Sequence, residues 1–252
     1  MTRLPRSPQN SPLALLGTLA LVGSCIGVSQ KRHDSPVAGG AGSAAASALK
    51  SCPKGVQAAA DGDLDDFEDS NTQLTKMAGR DGYWWSKKDD FGSTVTFAPE
   101  DGGADGSEIA MHLFGVTTAG SGDLNWGAGI GVNMVTQGLF FDASKYVGIA
   151  FKAKAGPKST RKVRFKIGDV NTHPDAKVCT GCWNHFGADL TLTGDWREYK
   201  VLFADVQQEP YWGDPRPASV TPSKLIAIDW TIGAGQTYDM WIDNLVFLEC
   251  RP

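Results

Sequence analysis

Four short runs set large aromatic rings beside glycine or small polar residues: Tyr83-Trp84-Trp85, Asn125-Trp126-Gly127, Trp183-Asn184-His185 and Tyr211-Trp212-Gly213. Sugar rings offer apolar C–H faces that stack on such side chains, while short polar groups bond the hydroxyls. Trp126, Trp183 and Trp212 are the candidates for stacking, followed by Tyr83 and Trp84. Asp169, Asn171, His185 and Gln207, near the same loops in the chain, are the candidates for hydroxyl contacts. Taken singly, each ring is equally well explained as packing beneath a loop; the set of four runs favours a glycan surface. Trp196, Trp230 and Trp241 stand in strand-like contexts and are assigned to the core.

Acidic residues gather at the two ends of the folded part, in Asp65-Asp66-Phe67-Glu68-Asp69 and in Trp241-Ile242-Asp243-Asn244. If the first and last strands lie side by side, these carboxylates could share one hard cation such as Ca²⁺, which takes six to eight oxygens. The alternative is a solvated acidic edge.

Cys52, Cys179, Cys182 and Cys250 allow three disulfide pairings. The expected one closes Cys179 with Cys182 as a loop staple and Cys52 with Cys250 across the ends of the domain. A zinc site is the competing reading, because His173, Cys179, Cys182 and His185 are soft or borderline ligands within thirteen residues. Disulfide formation in an oxidising compartment weighs against it.

That compartment follows from the N-terminus. Arg3 and Arg6 precede an apolar stretch, Leu13 to Leu21, too short to span a bilayer, and Val22-Gly23-Ser24-Cys25 follows. Residues 1–24 read as a signal peptide of lipoprotein type, with Cys25 acylated and the protein lipid-anchored outside the cytoplasm on a bacterial membrane, the outer membrane or cell surface. Residues 25–57, rich in Ala, Gly and Ser, read as a tether. Residues 58–252 suffice for one domain with its own core, expected to be monomeric. The formal net charge of −4 excludes nucleic acid as a natural partner. The one basic run, Arg161 to Ile167, alternates with apolar residues like the solvent face of a strand.

The same period-two alternation recurs at Val147 to Ala153, Val163 to Ile167, Tyr199 to Phe203 and Ile226 to Ile232. Thirty Gly and thirteen Pro disfavour long helices, leaving short helical turns near Asp142–Lys145 and Phe203–Gln207. An all-β chain of about ten strands forms a sandwich or a closed barrel, and matched first and last strands favour the sandwich.

Asp65-Asp66-Phe67-Glu68, Cys179-Thr180-Gly181-Cys182-Trp183-Asn184-His185-Phe186-Gly187, Leu192 to Tyr199 and Trp241-Ile242-Asp243-Asn244-Leu245 resemble the galactose-binding-like β-jelly-roll carbohydrate-binding modules, most of all family 11 and related modules. The resemblance spans residues 62 to 249. It implies an all-β, two-sheet antiparallel jelly-roll sandwich with a concave glycan-binding face and a structural Ca²⁺. The implied Ca²⁺ positions are Glu68 and Asp243, with Asp66 and Asn244 as neighbours.

The function expected on these grounds is non-catalytic polysaccharide binding by a membrane-anchored surface lipoprotein. The alternatives are a protein-binding adhesion or assembly module and a small polysaccharide-degrading enzyme. Against the enzyme, Glu100, Glu108, Glu198 and Glu209 form no convincing acid pair, and no nucleophile elbow, metalloprotease helix or phosphate loop is present.

Overall fold

The computed structural model describes residues 51–252 apart from Ser121 and Asp123. The expected signal peptide, Cys25 and residues 26–50 of the tether lie outside the described residues. The chain is structured before the expected tether boundary: Cys52 is bonded to Cys250, and the first strand begins at Val56.

Eleven strands follow one another: β1 (Val56–Asp65), β2 (Trp84–Lys88), β3 (Thr96–Asp101), β4 (Ile109–Val116), β5 (Ala128–Asn133), β6 (Gly148–Ala155), β7 (Lys162–Asp169), β8 (Phe186–Thr191), β9 (Arg197–Leu202), β10 (Leu225–Ile232) and β11 (Thr237–Cys250). One sheet runs β3-β4-β11-β6-β9, with β1 also paired to β11. The other runs β2-β5-β10-β7-β8. Every pairing is antiparallel, as the jelly-roll expectation requires. Among the described residues, helix is confined to two single 3₁₀ turns, Pro174–Ala176 and Pro222–Lys224, each opened by a proline whose fixed φ suits a first helical position. The expected helical turns fall elsewhere and are plain turns, closed by Tyr146 N–H on Ala143 O and Asp205 N–H on Leu202 O.

Alternation explains the core. Ile228, Trp230 and Ile232 of β10, Val163, Phe165 and Ile167 of β7, and Ile149, Phe151 and Ala153 of β6 are all buried. Their inward side chains meet around Trp230, whose ring lies 5.1 Å from Phe151, 5.2 Å from Phe165 and 5.7 Å from Trp84. A fully buried Trp contributes several kcal/mol of packing, roughly 3–5 kcal/mol on truncation to Ala. Arg80 is buried too: its guanidinium donates to the carbonyls of Asp61 and Asp63 at 2.7 Å each and to the Tyr146 hydroxyl at 3.1 Å. It sits 5.3 Å from the Phe141 ring and 5.4 Å from that of Phe247.

The first and last strands do lie together, Val56 opposite Cys250 and Gln57 opposite Glu249, and the disulfide closes that end. The Cys179–Cys182 staple also forms, which consumes the thiolates that zinc would need. Among the described residues no group of three His, Cys, Asp or Glu is arranged to hold a metal ion. Replacing Cys52 and Cys250 together by Ser, which opens a loop with a sequence separation of 198, should lower unfolding free energy by roughly 2–4 kcal/mol in denaturant titrations.

Candidate functional site

The outward face of the sheet containing β10 forms a cleft of about 1540 Å³. The strand register dictates its floor. Trp85 of β2 stands opposite Gly131 of β5, Gly131 opposite Asp229 of β10, Asp229 opposite Lys166 of β7, and Lys166 opposite Gly187 of β8. The neighbouring outward row is Lys87, Gly129, Thr231, Arg164 and Asp189. Both rows span four strand spacings, about 19 Å, room for a short run of sugar rings.

Period two puts one of the adjacent tryptophans inside and the other outside. Trp84 is only 4% exposed, its Nε1 donating to Asp65 at 2.7 Å and its ring packed on Phe67 and Trp230, so it is a core residue and not the expected ligand contact. Trp85 lines the cleft instead. Its indole Nε1 donates to Asn133 at 2.9 Å and its ring lies against Gly131, where any Cβ would come within 2.5 Å of it. Sequence reading missed Trp85. The alternation Ala128-Gly129-Ile130-Gly131-Val132 signals that β5 turns its glycines to one face.

Aromatic rings stand at both sides of this floor. Tyr83, Trp85, Leu124 and Trp126 line one side, and Trp183, Tyr211 and Trp212, from the loops before β8 and β10, line the other. Trp126 is 38% exposed and Tyr211 fully so. Trp183 and Tyr211 both have left-handed backbones, φ 74° and 72°, a conformation that costs a non-glycine residue on the order of 1–3 kcal/mol. The strain turns bulky rings outward at the rim. The rim loop is held by Asn184, buried beneath it, whose amide donates to the carbonyls of Glu209 at 2.9 Å and Trp212 at 2.6 Å and accepts from Glu209 N–H at 2.8 Å.

The expected hydroxyl-binding set is largely not at the cleft surface. Asp169 is buried and accepts from Asn171 N–H, Thr172 Oγ1 and Thr221 N–H, building the turn after β7. Asn171 is tied to Asp169 and Thr221 in that same turn. Gln207 is exposed but lines a smaller adjoining recess of about 700 Å³ with Gly187 and Asp205. His185 is buried, its Nδ1 2.9 Å from the Thr172 hydroxyl, which donates to Asp169; the imidazole therefore donates through Nδ1. Its ring lies parallel to that of His173 at 5.6 Å, and Trp183 packs edge-on against both. Two other assignments change: Trp196 and Trp241 are only half-buried, on the outer face of the opposite sheet, with Lys154 4.5 Å and 4.9 Å from their rings.

The charges of the floor are asymmetric. The Asp229 carboxylate, 1% exposed, accepts from Lys87 at 2.6 Å and from Thr231 at 2.9 Å. Burial pushes its pKa up, but the charges of Lys87 and Lys166 outweigh that and hold it below the ordinary range. Burial pulls Lys166 down, partly opposed by Asp229. Arg164 bonds Asp189 at 2.9 Å and lies 3.5 Å from Glu209, which also accepts from the Trp212 indole. The basic run of β7 therefore faces the cleft and not open solvent.

At the acidic ends, Glu68 and Asp243 converge on one loop. Glu68 Oε1 accepts from Ser107 Oγ at 2.7 Å and from the N–H groups of Glu108 and Ile109. Asp243, buried, accepts from Ala104 N–H and Asn244 N–H at 2.7 Å each; burial raises its pKa, with a smaller push from Glu68. Asp66 is exposed and bonds only its own turn, through Glu68 N–H at 3.3 Å. Asn244 contributes a left-handed backbone, φ 49°, at an irregularity of β11. The structure thus brings together two of the four expected cation ligands.

No protein-family model matches the chain, and no curated protein matches it. Solved structures do. The family 11 carbohydrate-binding module of a Clostridium thermocellum cellulosomal cellulase superposes with a TM-score of 0.50 at 17% identity, covering 75% of this chain and 95% of that one. A family 11 module determined in solution gives 0.52 at 17% identity, with 82% and 99% covered. The fold is the jelly-roll sandwich of those modules. A family 30 carbohydrate-binding module of another Clostridium thermocellum cellulosomal cellulase gives 0.47 at 15% identity, with 71% and 97% covered.

Burial holds the His185 imidazole down to about 3, so it stays neutral in the fold while an unfolded chain would take up a proton below its ordinary value of 6.5. Between those values the unfolded state binds more protons, and stability falls as the pH is lowered. The His185→Gln variant should lack this component. Its stability should fall less steeply than wild type from pH 6.5 to 4, by up to about 1.4 kcal/mol per pH unit in denaturant titrations at each pH.

Proposed function

We propose that this protein is a non-catalytic polysaccharide-binding module, displayed outside the cytoplasm from a lipid anchor on Cys25. The observation that carries the binding reading is the concave, aromatic-rimmed face of the five-stranded sheet, with Trp126 and Trp212 exposed across a glycine-bearing floor. The likeness of the fold to modules named for carbohydrate binding supports it. Trp85 on its glycine shelf and Trp212 on the Asn184-held loop are rigid before a ligand arrives, which lowers the ordering cost of binding.

Binding without catalysis fits the carboxylates of the cleft. Glycoside hydrolysis needs a carboxyl with a raised pKa to protonate the leaving oxygen. Asp229 is instead ion-paired and held low, and Asp189 and Glu209 flank Arg164. Affinity electrophoresis of the full chain on gels containing soluble polysaccharides tests the proposal. Trp126→Ala and Trp212→Ala should each weaken retention about tenfold or more, a loss of ~1.4 kcal/mol, while Tm stays within a few degrees of wild type. Retention on no polysaccharide would move the cleft to a protein partner, and release of shortened glycan would make it an enzyme.

A structural Ca²⁺ at Glu68 and Asp243 belongs to the same proposal. Its support is the convergence of two carboxylates, one of them buried, on the loop Ala104–Ile109, since Ca²⁺ is bound through carboxylate oxygens. An ion bound only by the folded state stabilises it by mass action. A chelator should lower Tm and added Ca²⁺ restore it; a melting curve indifferent to both removes the ion.

A further inference from the structure

The two outward rows of the cleft carry three cations, Lys87, Arg164 and Lys166, around a single fully buried carboxylate, Asp229. Lys87 takes the Asp229 oxygen at 2.6 Å, and Arg164 turns to Asp189 and Glu209 at the rim. Lys166 stands opposite Asp229 in the ladder, half-buried, yet among the described residues no hydrogen bond or salt bridge ends on its ammonium. Burial already disfavours its charge. A neutral sugar laid over it would strip its remaining water without returning an opposite charge. An anionic substituent would supply that charge in a place of low dielectric, where a charge-assisted hydrogen bond is strongest.

The surroundings are shaped for this. Gly187 follows Lys166 in its row and Gly131 precedes Asp229, so the charged pair has no side chain of its own row beside it; the Trp85 ring lies against Gly131 and the Arg164 guanidinium against Gly187. The Lys87 ammonium lies 5.8 Å from the Trp85 ring and 5.9 Å from that of Trp126, placing cationic and stacking groups against the same sugar. The chain as a whole carries a formal charge of −4, which repels polyanions, so attraction must be local to the cleft.

We infer that the cleft selects an anionic polysaccharide, one whose carboxylate or sulfate group is held by Lys166 and Lys87 above Asp229 while the ring stacks on the neighbouring tryptophans. This rests on the glycan-binding reading and narrows it to a ligand class. The test is affinity electrophoresis of the full chain on polygalacturonate, alginate and κ-carrageenan, on carboxyl-reduced polygalacturonate and desulfated carrageenan, and on a neutral mixed-linkage β-glucan. The expected result is retention on at least one anionic polymer. Removing the charge from that polymer should weaken retention about tenfold or more, whether by carboxyl reduction or by desulfation, and so should Lys166→Met in the protein. Lys200→Met, on the opposite sheet, should bind as wild type. Comparison of charged and uncharged polymers uses the wild-type chain, so it decides the question even if Lys166→Met does not fold. Equal retention on charged and uncharged forms, or retention on the β-glucan alone, overturns the anionic selection and leaves glycan binding standing. Retention on none of the six overturns both.

Discussion

A carboxylate in the middle of the central strand of a sheet must be compensated where it stands, and Asp229 imposes that requirement on its neighbours. Being 1% exposed, it cannot rely on water. Lys87 reaches it from β2, two strands away, and Thr231 from its own strand, while the charge of Lys166 on the adjacent β7 acts on it without a direct bond. Lys87 can cross β5 only because β5 presents Gly129 and Gly131 to that face. The buried charge, the glycine shelf and the cation cluster are thus one arrangement, and it is what gives this sheet a concave, charged floor.

Around that floor, two of the rings are held by hydrogen bonds. Trp85 is pinned by Asn133 and Trp212 by Glu209, while Asn184 clamps the backbone that carries Tyr211 and Trp212. Strained backbones at Trp183 and Tyr211 persist because His173, His185 and Asn184 overdetermine their surroundings. Shape at the rim is set by packing below the surface, and its conformational cost is met during folding.

The sandwich was legible in the sequence because period-two alternation in β6, β7, β9 and β10 is a direct imprint of a one-sided core. The terminal strand pairing and the two disulfides formed are also the ones expected, although four cysteines left three pairings open. The cleft was legible only as a supply of aromatics. Choosing Trp84 over Trp85 failed because two adjacent residues on a strand face opposite ways, and only the phase of the pairing with β5 decides which. Asp169 and His185 looked like surface polar groups; they are buried partners in a turn, joined through Thr172, a contact between residues up to sixteen apart. The basic run of β7 read as a solvent face since nothing local reveals that loops from elsewhere rise on either side of it. Long-range register and loop height are the two quantities that one-dimensional patterns do not carry.

The Cys52–Cys250 bond joins the chain where it enters the sandwich to the end of β11, the strand that pairs with β1, β4 and β6. A mechanical pull arriving from the residues ahead of Cys52 would pass through covalent bonds into β11 before it could peel β1 from the sheet. Load taken up at one end would be shared by three strand pairings at once. A domain so closed can bear a pull at its N-terminal side without being unzipped strand by strand from β1.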